Sequence, residues 1–250
     1  MFRIVIPARY GSLRLPGKVL LSICGKPMLQ WVYERARASR AQEVLIATDD
    51  ARIMNAAQSF GAQAIMTAAA HPSGTDRIAE VARCRSWAAA DIIVNVQADE
   101  PLIPPALIDQ VGALLESDAQ ADMATLATPV GSLEEFLDPN VVKVVADERG
   151  RALYFSRAPI PFERDNAAQR AVPAAFAGAR RHVGIYGYRV GPLLRLAALP
   201  PGRLERCEQL EQLRALANGY GIQLADAAQR PGPDVNTVAD LERVSELLRS

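Results

Sequence analysis

The sequence is poor in the features that tie a chain to a disulfide framework, a bilayer or a polyanion. Of its 250 residues only three are cysteines, Cys24, Cys84 and Cys207. They lie far apart, none in a CxxC or zinc-like spacing, and an odd number cannot close a disulfide framework. A reducing compartment is the expectation. No apolar run approaches the roughly 20 residues that a membrane-spanning helix needs. The opening MFRIVIPARY lacks a charged leader followed by a long apolar segment, so no signal peptide is expected and a cytoplasmic location is. Neither sign of charge is in excess, since 28 basic and 28 acidic residues cancel. That balance removes any global electrostatic case for a nucleic-acid or membrane partner, and any anion site must be a local cluster. Repeats, heptads and linker-like stretches are also missing. The length suits one domain over 1–250 with a substantial core.

Two common nucleotide signatures are absent as well. PARYGSLRLPGK at 7–18 is not a Walker A loop. Gly11 and Gly17 are separated by five residues rather than four, and Val19 stands where a magnesium-binding Ser or Thr belongs. Gly184 and Gly187 in GIYGYR do not open a helix, so there is no dinucleotide fingerprint to support an NAD-dependent oxidoreductase.

What is present is alternation. FRIVI, EVLIATD and DIIVNVQ are short apolar runs that read as buried parallel strands. Between them PMLQWVYERARAS, DARIMNAAQSF and SGTDRIAEVARC carry apolar residues at helical spacing, and PPALIDQVGALLES adds a helix whose prolines sit at its start. The expected fold class is α/β, a Rossmann-like, mostly parallel sheet covered on both faces. The second half mixes strands (DMATLATPV, VVKVVAD, RALYFSR, HVGIYGYRV) with one helix over LERCEQLEQLRALAN, a last strand GIQLADA and a closing helix TVADLERVSELLRS. Thr237 and Asp240 have capping-box spacing for that closing helix. An inserted α+β lobe is expected over roughly 130–215, with the alanine-rich 167–180 unplaced.

In an open parallel sheet, ligands bind at the carboxyl ends of the strands. Three suggestive segments follow predicted strands: PARYGSLRLPGK, the Asp49–Asp50 pair, and QADEP at 97–101. In the first, Arg9, Arg14 and Lys18 among glycines suit either a phosphate grip or a solvated surface turn. Asp99 ends a strand where a carboxylate suits a hard cation, and Asp234 in RPGPDVNT occupies a strand-to-helix turn compatible with the same edge. Both also suit ordinary turn capping. HPSGTDR places Ser73 and Gly74 at a helix start, as an anion or base contact or as a plain N-cap. Arg157 ends an aromatic-rich strand and suits carboxylate recognition or a solvated strand end. His182 and Tyr186 share a strand face by their even spacing. Glu208, Glu211 and Gln212 read as a solvated helix face.

IPARYGSLRLPGK, GKPML, ATDD, MTAAAHPSGTDR, NVQADEP, NVVKVV, LYFSRAPIP, HVGIYGYR, LEQLR and DVNTVADLERV occur in this order along nearly the whole chain. Together they resemble the 3-deoxy-manno-octulosonate cytidylyltransferases, a family of the nucleotide-diphospho-sugar transferase type that activates the eight-carbon acid of lipopolysaccharide. Gly11 and Leu13 stand where the resemblance leads one to expect alanine and threonine, and Ala98 replaces a glycine. The resemblance implies a reaction in which CTP and the sugar acid give the CMP-sugar and pyrophosphate, with magnesium as cofactor and a homodimer built partly through the lobe. It implies that Ala8, Arg9, Ser12, Arg14, Lys18, Ser73, Gly74 and Gln97 grip the nucleotide, with Arg14, Lys18 and Asp99 acting in catalysis. Asp99 and Asp234 would hold the metal, and Gln97, Arg157, His182, Tyr186, Glu211 and Gln212 would line the sugar pocket. The same chemistry on an 8-amino-octulosonate or a nonulosonate is the alternative, and a non-catalytic nucleotide-binding module is opposed by the presence of Asp99 and Asp234.

Overall fold

A computed structural model describes residues 1–11, 15–162 and 179–249. The chain opens with β1 (Phe2–Ala8), then a loop and a small hairpin of β2 (Ser22–Ile23) and β3 (Lys26–Pro27). Alternation follows: α1 (Met28–Arg37), β4 (Glu43–Thr48), α2 (Ala51–Ser59), β5 (Gln63–Met66), α3 (Gly74–Cys84), β6 (Ile92–Asn95), α4 (Pro105–Ser117) and β7 (Met123–Pro129). The remainder comprises α5 (Leu133–Leu137), β8 (Lys143–Ala146), β9 (Ala152–Ser156), β10 (Arg180–Arg189), α6 (Val190–Ala197), α7 (Arg203–Glu208), α8 (Gln212–Ala217), β11 (Ile222–Asp226) and α9 (Val238–Leu247).

The main sheet runs β11-β7-β10-β6-β1-β4-β5. β4, β1 and β6 are mutually parallel, as are β4 with β5 and β7 with β11. β10 is antiparallel to both of its neighbours, β6 and β7, and β8 and β9 branch from its start as an antiparallel hairpin. The apolar runs follow from burial on both faces. Phe2, Ile4 and Ile6 of β1 join Val94 of β6 in one core with α1, α2 and α4, whereas Val5, Leu45 and Ile93 join a second core with α3 and α6. The period of two along each strand therefore divides one apolar run between two cores.

The helix expected over LERCEQLEQLRALAN is two helices. Gln209 adopts φ 54 and ends α7, and α8 restarts at Gln212. Arg214, almost wholly buried, holds the pieces together with Nη2 2.6 Å from Glu205 Oε1. The capping box at the closing helix is present, with Thr237 accepting from Asp240 N and Asp240 accepting from Thr237 N. β5 and α6 were not foreseen in the sequence pattern. Among the described residues, no helix is long and apolar enough to cross a membrane.

Candidate active site

The carboxyl ends of β1, β4 and β6 meet at one edge because the three strands are parallel and adjacent. The loop after β1 closes on itself, with Gly17 N donating to Tyr10 O at 2.9 Å. Closure requires glycine: Gly17 has φ +68, and a Cβ there would lie 3.0 Å from the Tyr10 ring. Arg52 stacks on the Tyr10 ring, its guanidinium carbon 3.3 Å from the centroid. The closed loop delivers Lys18 across to the end of β6. There Lys18 Nζ donates to Asp99 Oδ2 at 2.6 Å and to Val235 O at 3.0 Å.

β4 ends in two carboxylates with separate tasks. Asp50 caps α2 by accepting from Arg52 N at 2.9 Å, and the hydrogen bond from the Arg52 side chain holds its carboxyl down at about 2. Asp49 accepts from Arg77 Nη2 at 3.0 Å, and Arg77 is almost wholly buried. Ser73 caps α3, accepting from Asp76 N at 3.3 Å, and its hydroxyl also lies 3.1 Å from Glu211 Oε1.

A cleft of about 510 Å³ results, with Arg9, Lys18, Ser73, Gly74, Gln97 and Asp99 on its walls. Six expected residues thus gather in one place. Ala8 is buried behind them at the end of β1, and Ser12 and Arg14 lie outside the described residues. His71 and Arg77 line the same cleft without having been singled out. His71 pairs with Glu80 on α3, and HPSGTDR spells both cleft residues. Ala98 costs the loop nothing, because neither it nor Asp99 has a positive φ.

A smaller cavity of about 120 Å³ adjoins this cleft and shares Gln97 with it. Tyr186, Glu211 and Gln212 line it, joined by Thr75, Asn95 and Tyr188. Glu211 does not lie on a solvated face as its helix pattern suggests. Burial pushes its carboxyl above the usual range, opposed by the nearby Arg214 and Ser73.

Arg157 and His182 line neither cavity. Arg157 Nε donates to Glu208 O at 2.7 Å and Nη1 to Pro139 O at 2.8 Å, while its backbone N–H donates to Glu208 Oε2. The carbonyl of Arg157 is taken by Lys143, whose fully buried Nζ also binds Asp138 O and Val141 O. All three ammonium donors are thereby used. His182 Nε2 lies 3.0 Å from Thr125 Oγ1, and that hydroxyl donates to Ile185 O at 2.7 Å. The histidine is therefore the donor to threonine, and burial pushes its imidazole down to about 3. It is neutral and sits edge-on to Phe155 and 5.2 Å, centroid to centroid, from Tyr186.

Asp234 is exposed and faces a neighbouring cleft shared with Arg181, Arg230 and Arg243. Backbone pairing ties its segment to the main site, with Val235 N donating to Asp99 O at 2.9 Å. Between them, Glu100 has its carboxyl pushed up to about 8, first by burial and then by the charges of Asp99 and Asp234.

Comparison with known proteins places this geometry. The cytidylyltransferase family matches residues 3–224. A 3-deoxy-manno-octulosonate cytidylyltransferase of Cellvibrio japonicus is 58% identical over 251 residues, covering 99% of this chain and 98% of its own. One from Thioalkalivibrio sulfidiphilus is 54% identical over 249 residues, covering 100% and 99%. Among solved structures, a CMP:2-keto-3-deoxy-manno-octonic acid synthetase complexed with CTP superposes with a TM-score of 0.90 at 45% identity, covering 100% of this chain and 99% of that one. A cytidylyltransferase of Leptospira borgpetersenii, at 18% identity and TM-score 0.63 over 98% of this chain and 85% of its own, shares the fold.

Proposed function

The chain belongs to the cytidylyltransferase family, and from that premise we propose how its two adjoining cavities divide the work. The enzyme transfers CMP from CTP to 3-deoxy-manno-octulosonate and releases pyrophosphate, supplying an activated precursor for lipopolysaccharide. In our reading the larger cleft takes the nucleotide and the smaller cavity takes the sugar acid. One observation carries this assignment: Gln97 lines both cavities, one residue away from buried Ala98 and two from Asp99. The reacting atoms would meet beside it.

The anomeric hydroxyl attacks the α-phosphorus in line, and pyrophosphate leaves from the far side. Both substrates are anionic, so their approach is opposed until positive charge is placed between them. Positioning and charge stabilisation supply most of the catalysis in such transfers. Of the described cations on the cleft wall, Arg77 is held by Asp49, whereas Arg9 and Lys18 are each able to give a charge-assisted hydrogen bond worth about 1.5–3 kcal/mol. Arg14 would add a third from the loop. Ser73 and Gly74 would contact the nucleotide through the start of α3. No nucleophilic side chain is needed, because the substrate hydroxyl performs the attack.

The residues present suit magnesium. Asp99 and Asp234 offer hard oxygen donors, and the Glu100 carboxyl between them is raised first by burial and only then by their two charges. Among the described residues no group of three His, Cys, Asp or Glu side chains forms a metal cage. An ion held by one or two carboxylates and completed by substrate phosphates and water needs no such cage. When bound, the ion would offset phosphate charge and acidify the sugar hydroxyl. Lys18, now paired with Asp99, would turn to the departing pyrophosphate.

A homodimer through the lobe is supported by Leu153 and Phe162, which are 60% and 71% exposed. A cytoplasmic location is supported by the three free cysteines. The deciding assay measures pyrophosphate release from CTP with octulosonate, its 8-amino analogue and a nonulosonate, with and without magnesium. Release with octulosonate that depends on the metal is expected. No release with any acid would overturn the reading.

A further inference from the structure

Two side-chain polar atoms among the described residues are buried without a well-formed hydrogen bond: Asn95 Oδ1 and the Tyr186 hydroxyl, the latter close to the Thr125 side chain, whose own hydroxyl is taken up by His182 and backbone carbonyls. Both belong to residues lining the 120 Å³ cavity. They are directly opposite in the ladder between β6 and β10. Opposed residues in an antiparallel pair project from one face with their Cβ atoms about 5 Å apart. Gln97, two residues beyond Asn95, lies on the same cavity wall. Buried polar atoms are normally paired, and leaving one bare is expensive, so two bare atoms just behind the wall of one small cavity, on residues that line it, mark a place where a polar group can be taken up with a small side-chain shift.

The chemistry of the two atoms selects the group. An amide oxygen only accepts, and a phenol hydroxyl both donates and accepts. A ligand hydroxyl can donate to Asn95 Oδ1 while accepting from Tyr186. A carboxylate has no proton to give, so it would leave the amide oxygen bare, and it would also face the Glu211 carboxylate on the same wall. Burial pushes the Tyr186 phenol well above its usual range, so it stays protonated. In a 2-ulosonate the carboxylate shares its carbon with the reacting anomeric hydroxyl, so both must stay at the mouth near Gln97 and Asp99. Only the remote hydroxyls can reach the floor.

We infer that Asn95 is a specificity-determining residue, which with Tyr186 reads one remote hydroxyl of the sugar acid through a donated and an accepted hydrogen bond. This rests on the division of the two cavities proposed above. The test is a cycle of enzyme and substrate deletions, read as pyrophosphate release. Wild type, Asn95→Leu and Tyr186→Phe are each assayed with octulosonate and with analogues lacking one remote hydroxyl at a time. Wild type should lose about 10- to 100-fold in kcat/KM on one analogue only. Asn95→Leu should show that same loss on the intact acid, no further loss on that analogue, and a KM for CTP within about twofold of wild type. Tyr186→Phe deletes one oxygen and keeps the ring in place, so it decides the matter if Asn95→Leu fails to fold. It should show the same analogue-selective pattern. Wild-type kcat/KM for octulosonate in either folded variant, or an equal loss across all analogues, would overturn the inference. Absence of turnover in wild type itself would instead overturn the functional reading beneath it.

Discussion

The larger cleft and the layer behind the smaller cavity treat their charged side chains in opposite ways. In the nucleotide cleft Arg9, Lys18 and Asp99 reach open space, and Lys18 and Asp99 hold only each other and the neighbouring 235–236 segment. Behind the smaller cavity, without lining it, Arg157, Lys143 and Glu208 are consumed by one another, by carbonyls and by the Ser156 hydroxyl. His182 is neutral and bound to Thr125. The polar atoms left over there are uncharged, Asn95 and Tyr186. In the proposed division of the cavities, a triphosphate would be met by exchangeable charge and a polyol by neutral groups in front of a braced layer. An arginine at a strand end can thus be a ligand or a brace, and only its long-range partners decide which.

The contrast can be broken by substitution. Asp99→Ala touches the exchangeable side and should cut turnover by on the order of a thousandfold, the scale seen when a preorganised charge-stabilising group is removed. Its circular dichroism and melting should remain those of wild type, because the carboxylate is partly open to solvent. Retained activity would remove Asp99 from the metal role. Lys143→Met touches the braced side. It leaves the Val141 and Arg157 carbonyls without a donor, while Asp138 O keeps the Val141 N–H, and should cost about 3 kcal/mol, or roughly 10 °C in Tm for a chain of this size. An unchanged Tm would show the brace to be dispensable and blur the contrast. The smallest effect belongs to His182→Gln, which keeps a donor for Thr125 and removes the titration. The folded imidazole titrates at about 3 against a usual value of about 6.5. Between those values the unfolded chain binds a proton that the folded chain refuses, so stability falls as pH falls through that window. Urea unfolding at pH 7 and pH 4 should show the variant losing about 1–2 kcal/mol less than wild type on acidification. Equal losses would mean that His182 charges freely and braces nothing.

How much was legible follows the same division. β1, β4 and β6 could be read because burial on both faces writes an uninterrupted apolar run, and parallel pairing then brings their loops together. β5 sits at the sheet edge, where half-exposed QAIM carries no such signal. The break between α7 and α8 was hidden because Gln209 takes a left-handed conformation that glycine or asparagine would have advertised. Arg77 was passed over in HPSGTDR because its partner, Asp49, is 28 residues away. Arg157 looked like a ligand because Glu208, which engages it, lies 51 residues downstream. Asn95 closes a strand read correctly as apolar, and only the burial of its amide oxygen without a hydrogen bond, visible in three dimensions, sets it apart.

The bond between Lys18 and Asp99 has a consequence for the order of events at the cleft. The resting site has cancelled its own charge, so it is a finished trap for neither a cation nor an anion. With the site assignments proposed above, a triphosphate arriving first would pull Lys18 away, and a divalent ion arriving first would push it away. Whichever comes second finds that work already done. In the proposed reading the two would therefore bind cooperatively, each raising the other's affinity by the same factor.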